Sequence, residues 1–447
     1  MSPILVRGLN WLGDAVLSLP AIRAIHKDAP DEDIYVVSAP ATSGIYRLAP
    51  GVKEVFVDDK KLATRLKLIK DLQALKPEKT IFLPNAISGP ILAFLAGLPN
   101  RQGYARNGRS FLLRKAIPLK PENRLAHEVF YYLDLLEALG IKAPYVSPRL
   151  LAPTDLKIDL PPKFLVALAP GAAYGEAKRY PAAKFAKIAQ LLAKELDLAI
   201  VILGGPSEIP AAKETLEALG PDIPALNLAG QTSLIEALAV LAKCGLLIAN
   251  DSGLAHLAGA VDTPLAVLFG PTNPLATGPL GRQSLVLRQS VPCAPCRNRS
   301  CPRPQKICFL GLTPEAVAAR VLKFLEPAKA RGLSGLFLAG NQDQVGPEYN
   351  PIVKKPQENL SDFGQKAKAL GLNLSESFFM GQDLGFLALG QSLGARTILV
   401  ANPASPATFK AALFNSPTLA LPDIAVPNVT RGLEWLTNRK LSDLSRP

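Results

Sequence analysis

Aromatic residues make up only 6% of this 447-residue chain, and no uncharged apolar stretch in it is long enough to span a bilayer. The amino terminus shows no signal-peptide pattern: Met1 leads straight into a short apolar run, Ile4-Leu5-Val6, closed by Arg7. Together these absences predict a cytoplasmic protein. Helix-turn-helix, zinc-finger and RNA-binding signatures are missing too, which argues against nucleic acid as a partner. The 41 prolines are scattered and form no low-complexity tract, so long disorder is not expected. What remains is the composition of a soluble globular protein, 48% hydrophobic and 19% charged. The length predicts two to three domains.

A formal net charge of +13 calls for an anionic partner, or else for a basic, solvated surface. The cations crowd between Arg101 and Lys115, where Arg101, Arg106 and Arg109 are candidates for a local anion-binding face. Four of the five cysteines, Cys293, Cys296, Cys301 and Cys308, are spaced C-x2-C-x4-C-x6-C. In a reducing compartment that cluster suits a structural zinc in ligand number, although the spacing is not that of a zinc ribbon. Four ordinary thiols are the competing reading.

Short apolar, β-branched runs alternate with amphipathic stretches along the whole chain, which predicts an α/β protein with parallel, doubly wound sheets. The strand-like runs include residues 4–6, 34–37, 79–83, 164–169, 198–203, 246–249 and 265–269. Helical patterns cover 15–26, 62–75, 124–139, 182–196 and 234–244. Proline-rich residues 144–162 mark one break and 326–335 a second, giving units at 1–152, 153–327 and 332–447. Two similar α/β units in tandem place a crevice between the carboxyl ends of their sheets, where two substrates can meet.

Three loops after strands carry residues suited to a nucleotide diphosphate. The loop PGAAYGEAKRYP at 170–181 combines small residues, a following helix and the cations Lys178 and Arg179, a set that suits a pyrophosphate. The turn NDSGLAHLAGA at 250–260 sets Asp251, Ser252 and Gly253 at the start of a helix, with His256 one turn on. Ser252 read blandly is a helix cap, and His256 a structural histidine. In the third loop Glu208 follows Gly204-Gly205 and suits a ribose diol, while Gly230-Gln231-Thr232, ahead of another helix, suits backbone contacts with a base. In the first unit, residues 4–25 read as strand, glycine-bounded loop and helix. Asp14 is there either a helix cap or a general base at the mouth of the cleft.

The opening GLNWLGDAVLSLPAIRAI, the loop PGAAYGEAKRYP and the turn NDSGLAHLAGA together resemble glycosyltransferase family 9, over residues 3–325. The resemblance implies a GT-B fold of two Rossmann-like domains and an inverting, metal-independent transfer of heptose. ADP-L-glycero-D-manno-heptose would be the donor, held by the second domain. The lipid A inner core of lipopolysaccharide would be the acceptor, held by the first, with peripheral contact at the inner membrane. Position by position, Asp14 matches the family's catalytic aspartate, Lys178 its phosphate-contacting lysine, Glu208 the acid on the ribose and Thr232 a residue beside the adenine. Asp251, Ser252, Gly253 and His256 match the D-[ST]-G-x-x-H donor motif. The basic run at 101–115 would then face a phosphorylated acceptor. A family 9 transferase acting on another core sugar or position is the alternative.

Residues 354–400 resemble the haloacid dehalogenase-like phosphatases, most of all those that act on heptose bisphosphate. At the positions of their two active-site aspartates stand Ala339 and Asn341, and the magnesium-binding Gly-Asp pair reads Gly381-Gln382; Lys355 survives at the phosphate-binding lysine. An alanine cannot form a phosphoaspartate, so the third unit is expected to be a degenerate, non-catalytic domain rather than the second half of a bifunctional enzyme.

Overall fold

The computed structural model describes residues 3–120, 126–155, 158–281, 283–303 and 305–325, together with five strands farther along the chain. The first unit is a parallel sheet of six strands: β1 (Ile4–Arg7), β2 (Ile34–Ser38), β3 (Val52–Val57), β4 (Lys79–Phe82), β5 (Arg101–Tyr104) and β6 (Lys115–Ile117). Its helices are α1 (Leu12–Leu17), α2 (Leu19–Asp28), α3 (Pro40–Arg47), α4 (Leu62–Leu75), α5 (Ser88–Leu95) and α6 (Glu128–Leu139). The second unit repeats the plan with β7 (Phe164–Ala169), β8 (Leu198–Ile202), β9 (Ala225–Asn227), β10 (Leu246–Asn250), β11 (Leu265–Phe269) and β12 (Ser284–Arg288). Between and after these run α7 (Ala182–Leu192), α8 (Ile209–Leu219), α9 (Leu234–Lys243), α10 (Gly253–Ala260), the short α11 (Pro274–Thr277) and α12 (Pro314–Leu325).

The strand orders are β3-β2-β1-β4-β5-β6 and β12-β11-β10-β7-β8-β9, which is one order, 3-2-1-4-5-6 within each unit, used twice. Strands covered by helices on both faces lose the apolar-polar alternation of half-exposed strands. Accordingly β8 (LAIVI), β10 (LLIAN) and β11 (LAVLF) are buried at every position. The order reverses between β1 and β4 and between β7 and β10, and ligands bind at such switch points.

The single helix expected at 15–26 is two helices. Pro20 has no N–H to offer Val16, and Ser18 closes α1 instead, its Oγ donating to Ala15 O at 2.8 Å. Among its described residues the proline-rich connection between the sheets has no helix or strand, and it is tied to the second unit. Leu150 N donates to Ala260 O at 3.0 Å, and Arg149 pairs with Asp262 at 3.0 Å. Among the described residues no helix is long and apolar enough to cross a membrane.

Farther on, β13 (Gly335–Ala339), β14 (Ile352–Lys354), β15 (Ser377–Gly381), β16 (Arg396–Val400) and β17 (Ile424–Val426) form a third parallel sheet, ordered β14-β13-β15-β16-β17. That is the 2-1-3-4-5 order of flavodoxin-like doubly wound sheets. Ala339 ends β13 and Gly381 ends β15. Lys355, Asn341 and Gln382 lie outside the described residues.

Candidate active site

The two units meet at the carboxyl edges of their sheets, with α1 packed against α10. Glycines permit the approach. A Cβ at Gly13 would stand 2.8 Å from His256 Cδ2, and one at Gly253 would stand 2.7 Å from Leu12 Cβ. His127, buried at the N-cap of α6, adds a polar tie between the units. Its Nδ1 accepts from Val129 N at 3.3 Å, which leaves Nε2 as the donor to Gly278 O at 2.8 Å. Burial pushes this imidazole down to about 4, so it is neutral near pH 7.

Asp14 lies in the first turn of α1, whose N-cap is Trp11, and it makes no capping bond. The cap reading of Asp14 therefore fails. The loop ahead of it is fixed from below: Tyr46 Oη accepts from Leu9 N at 2.8 Å, and Thr42 Oγ1 donates to Leu9 O at 2.8 Å. The Asp14 carboxyl is raised to about 7, above all by burial. Glu128 and Asp251 contribute to that rise, while Lys178 opposes it. Glu128, at the start of α6, is itself raised by burial and takes a 3.4 Å bond from Tyr132 Oη.

Across the interface, Asp251 Oδ2 accepts from Lys178 Nζ at 2.6 Å and from Thr272 Oγ1 at 2.6 Å, almost out of contact with solvent. The Lys178 ammonium also sits 4.8 Å from the centre of the Tyr174 ring. Asn250, fully buried, clamps the 170–181 loop to the 250–253 turn. It donates to Pro170 O at 2.7 Å and accepts from Tyr180 N at 2.9 Å. Ser252 occupies the N-cap of α10, yet its Oγ makes no capping bond and is buried without a partner; His256 Nδ1 is buried without one as well. Buried polar atoms normally have partners, so two orphans beside a lysine and a helix amino end mark a place for a polar ligand. Desolvation lowers His256 to about 4, which leaves a neutral ring there.

Glu208 stands at the mouth of the same edge. Its Oε2 accepts from Gly205 N at 2.7 Å, and its carboxyl is raised by burial and lowered by Arg179. Close approach requires Gly171, where a Cβ would fall 2.5 Å from Glu208 Oε1. Arg179 Nε is also buried without a partner. Thr232 is half-buried, just ahead of α9 and its capping residue Ser233.

The basic run at 101–115 is not the exposed anion-binding face its composition predicts. It folds as β5, a 3-10 turn (Ser110–Leu112) and the start of β6. Arg109 is fully buried and donates to the carbonyls of Tyr104 (3.0 Å) and Pro84. Arg101 likewise holds Leu112 O (2.6 Å) and Leu98 O. A guanidinium carries five donors, and edge strands with irregular connections leave carbonyls that need them. Only Arg106 of the three predicted residues is free of such backbone bonds, and it is half-buried near Tyr131.

The cysteine loop has a mechanical role that the thiol spacing did not reveal. Ala177 N donates to Arg299 O at 2.9 Å, Lys306 Nζ to Glu176 O at 2.6 Å, Tyr174 Oη to Arg297 O at 2.8 Å and Arg297 N to Pro271 O at 2.8 Å. The loop thus braces the one that carries Lys178. The neighbouring thiols add to burial in raising Cys308 to about 11. Even so, no group of three or more His, Cys, Asp or Glu side chains is placed to hold a metal ion among the described residues.

Sequence reasoning also missed a rim of Trp11, Tyr174 and Arg299. The Trp11 and Tyr174 rings lie 6.4 Å apart across the two units, and the Arg299 guanidinium sits 5.2 Å from the Tyr174 ring. An exposed tryptophan three residues before Asp14 was the available signal.

The model of glycosyltransferase family 9 (heptosyltransferase) matches residues 65–307. The chain belongs to that family. It is 30% identical over 307 residues to lipopolysaccharide heptosyltransferase 2 of Escherichia coli, covering 64% of this chain and 87% of that one. Against lipooligosaccharide heptosyltransferase 2 of Haemophilus influenzae it is 29% identical over 308 residues, covering 64% and 88%. The solved structure of the E. coli ADP-heptose LPS heptosyltransferase II superposes with a TM-score of 0.63 at 26% identity, covering 72% of this chain and 98% of that one. The expected GT-B architecture for the first two units is thereby established, as is a glycosyltransferase activity for the chain.

Proposed function

We propose that the chain transfers L-glycero-D-manno-heptose from ADP-heptose to the heptosyl-Kdo2-lipid A inner core in lipopolysaccharide biosynthesis, in the cytoplasm and in peripheral contact with the membrane that bears the acceptor. One observation carries this reading: Asp14 of one unit stands in the field of Lys178 and Asp251 of the other. In an inverting transfer a single base removes the proton of the acceptor hydroxyl as its oxygen attacks the anomeric carbon and ADP departs from the opposite face. A buried carboxyl near 7 is matched to that task at neutral pH. Charge grows on the leaving diphosphate, where Lys178, Ser252 Oγ and the amino end of α10 supply donors and positive potential. Asp251 acts through Lys178 and Thr272, fixing the ammonium where the phosphates arrive. Gly253 permits the close approach, the neutral His256 turns a nitrogen to the donor sugar or phosphate, and Glu208 and Thr232 face ribose and base. No step is routed through the cysteines, whose loop serves as the brace behind Lys178.

Incubation of the full chain with ADP-heptose and mono-heptosylated Kdo2-lipid A, read by mass spectrometry, is expected to show addition of one heptose. Asp14→Ala should keep ADP-heptose affinity and lose transfer by roughly a thousandfold or more. Near-normal turnover of that variant would remove Asp14 from the mechanism.

A further inference from the structure

Two helices of the first unit leave their outer faces apolar and uncovered. α4 turns Leu68 and Leu72 inward and α5 turns Leu92 and Ala93 inward, to a small core with Leu5, Val37 and Phe82 on one face of the first sheet. The opposite faces are bare: Leu62 is 76% and Leu66 54% exposed on α4, Phe94 56% and Leu95 58% on α5. Ile87, just before α5, and Ile91 continue the stripe, because 87, 91, 94 and 95 fall on one side of a helix. The 3-10 turn packed beside α5 adds Phe111 at 78%. Single exposed leucines need no explanation, whereas seven large apolar side chains exposed on three neighbouring elements do.

The exposed charge in this stretch is predominantly positive. Lys60, Lys61, Lys67, Lys70 and Arg114 are exposed, and Glu78 is the only acid between residues 58 and 117 that is equally so. Apposing two copies of this face would set lysines against lysines, which disfavours a second chain as the occupant. The patch also has a place relative to the chemistry. β4 and β1 pair in register, Phe82 with Arg7, so the stripe that follows β4 starts at the sheet edge that presents Asp14.

We propose that α4, α5 and the Phe111 turn form a docking face for an anionic lipid bilayer, the apolar stripe entering the interface and the lysines meeting the headgroups. The inference rests on the reading that the acceptor is lipid-borne. Docked this way, the enzyme would hold its cleft at the membrane surface, within reach of an acceptor sugar that never leaves the bilayer.

The test is co-sedimentation of the full chain with vesicles of phosphatidylcholine alone or with phosphatidylglycerol, in low and high salt. Wild type should bind the anionic vesicles and release in high salt. Leu66→Gln/Leu95→Gln/Phe111→Ser should weaken that binding by about tenfold or more, and Lys67→Glu/Lys70→Glu should weaken it at low salt only. Circular dichroism and thermal melts, expected unchanged, check that these exposed sites leave the fold intact. Turnover of a detergent-dispersed acceptor should be unaltered in the triple variant and turnover of the same acceptor in vesicles should fall. Equal vesicle binding by wild type and triple variant would overturn the proposal, as would loss of a dimer in the variant with vesicle binding unchanged. Failure of wild type to transfer to the dispersed acceptor would instead overturn the functional reading, whatever the vesicles show.

Discussion

The two units share a strand order and differ in how their carboxyl edges are finished. The edge of the second is organised in advance: Asp251 holds Lys178 and Thr272, Asn250 ties one loop to the other, and the cysteine loop braces both. The edge of the first carries two half-buried carboxylates, Asp14 and Glu128, both with raised proton affinity. A rigid, polar edge suits a ligand whose shape never varies, such as a nucleotide diphosphate. An edge of that kind leaves room for a larger acceptor and sets titrating carboxyls beside it. The difference shows that a repeated fold does not imply a repeated role.

After the loss of transfer expected of Asp14→Ala, the next largest effect comes from removing that advance organisation. Lys178→Ala leaves Asp251 buried with only Thr272, and should lower kcat/KM by about a hundredfold or more, with a matching loss of ADP affinity by calorimetry. Unchanged ADP affinity would mean that the second edge is not the nucleotide edge. Next in size is the pH response of the first edge. Asp14 works as the carboxylate, so kcat/KM should rise roughly tenfold from pH 6 to 7.5 and level above. Its folded value near 7 lies above the ordinary carboxylate range, so the folded state holds this proton more tightly than the unfolded chain. The stability it contributes is present at low pH and lost as pH rises through 7. Asp14→Asn should therefore raise the melting temperature by about a few degrees at pH 8 and leave it unchanged at pH 4. A flat profile would equalise the two edges. The smallest effect is expected at the rim: Trp11→Ala should raise the acceptor KM several-fold, about 1 kcal/mol of stacking, with donor affinity unmoved. A parallel loss of donor affinity would assign the rim to the nucleotide.

The alternation of strand and helix made both sheets legible in the sequence, and the strands at 4, 34, 79, 164, 198, 246 and 265 stand where the apolar runs put them. The outlying strands β5 and β6, the second of them the sheet edge, were not legible, because they are short and carry cations, and composition there pointed to a surface instead. Asp14, Lys178 and Asp251 were recognisable as motif residues, and the structure brings them together. What the motif could not give was pairing: that Asp251 grips Lys178, or that Arg109 turns inward to carbonyls, depends on which chain segments become neighbours. The brace formed by residues 293–308 was hidden for another reason. It acts through backbone groups, and the cysteines drew the eye from them.

The glycine contacts at the interface are reciprocal. Gly13 of the first unit makes room for His256 of the second, and Gly253 of the second makes room for Leu12 of the first. Each unit has given up a side chain exactly where the other supplies one, so neither can be replaced by itself. A chimera that joined this first unit to a related second unit would keep both folds and both half-sites. It would still lose the seam unless the two pairs were inherited together.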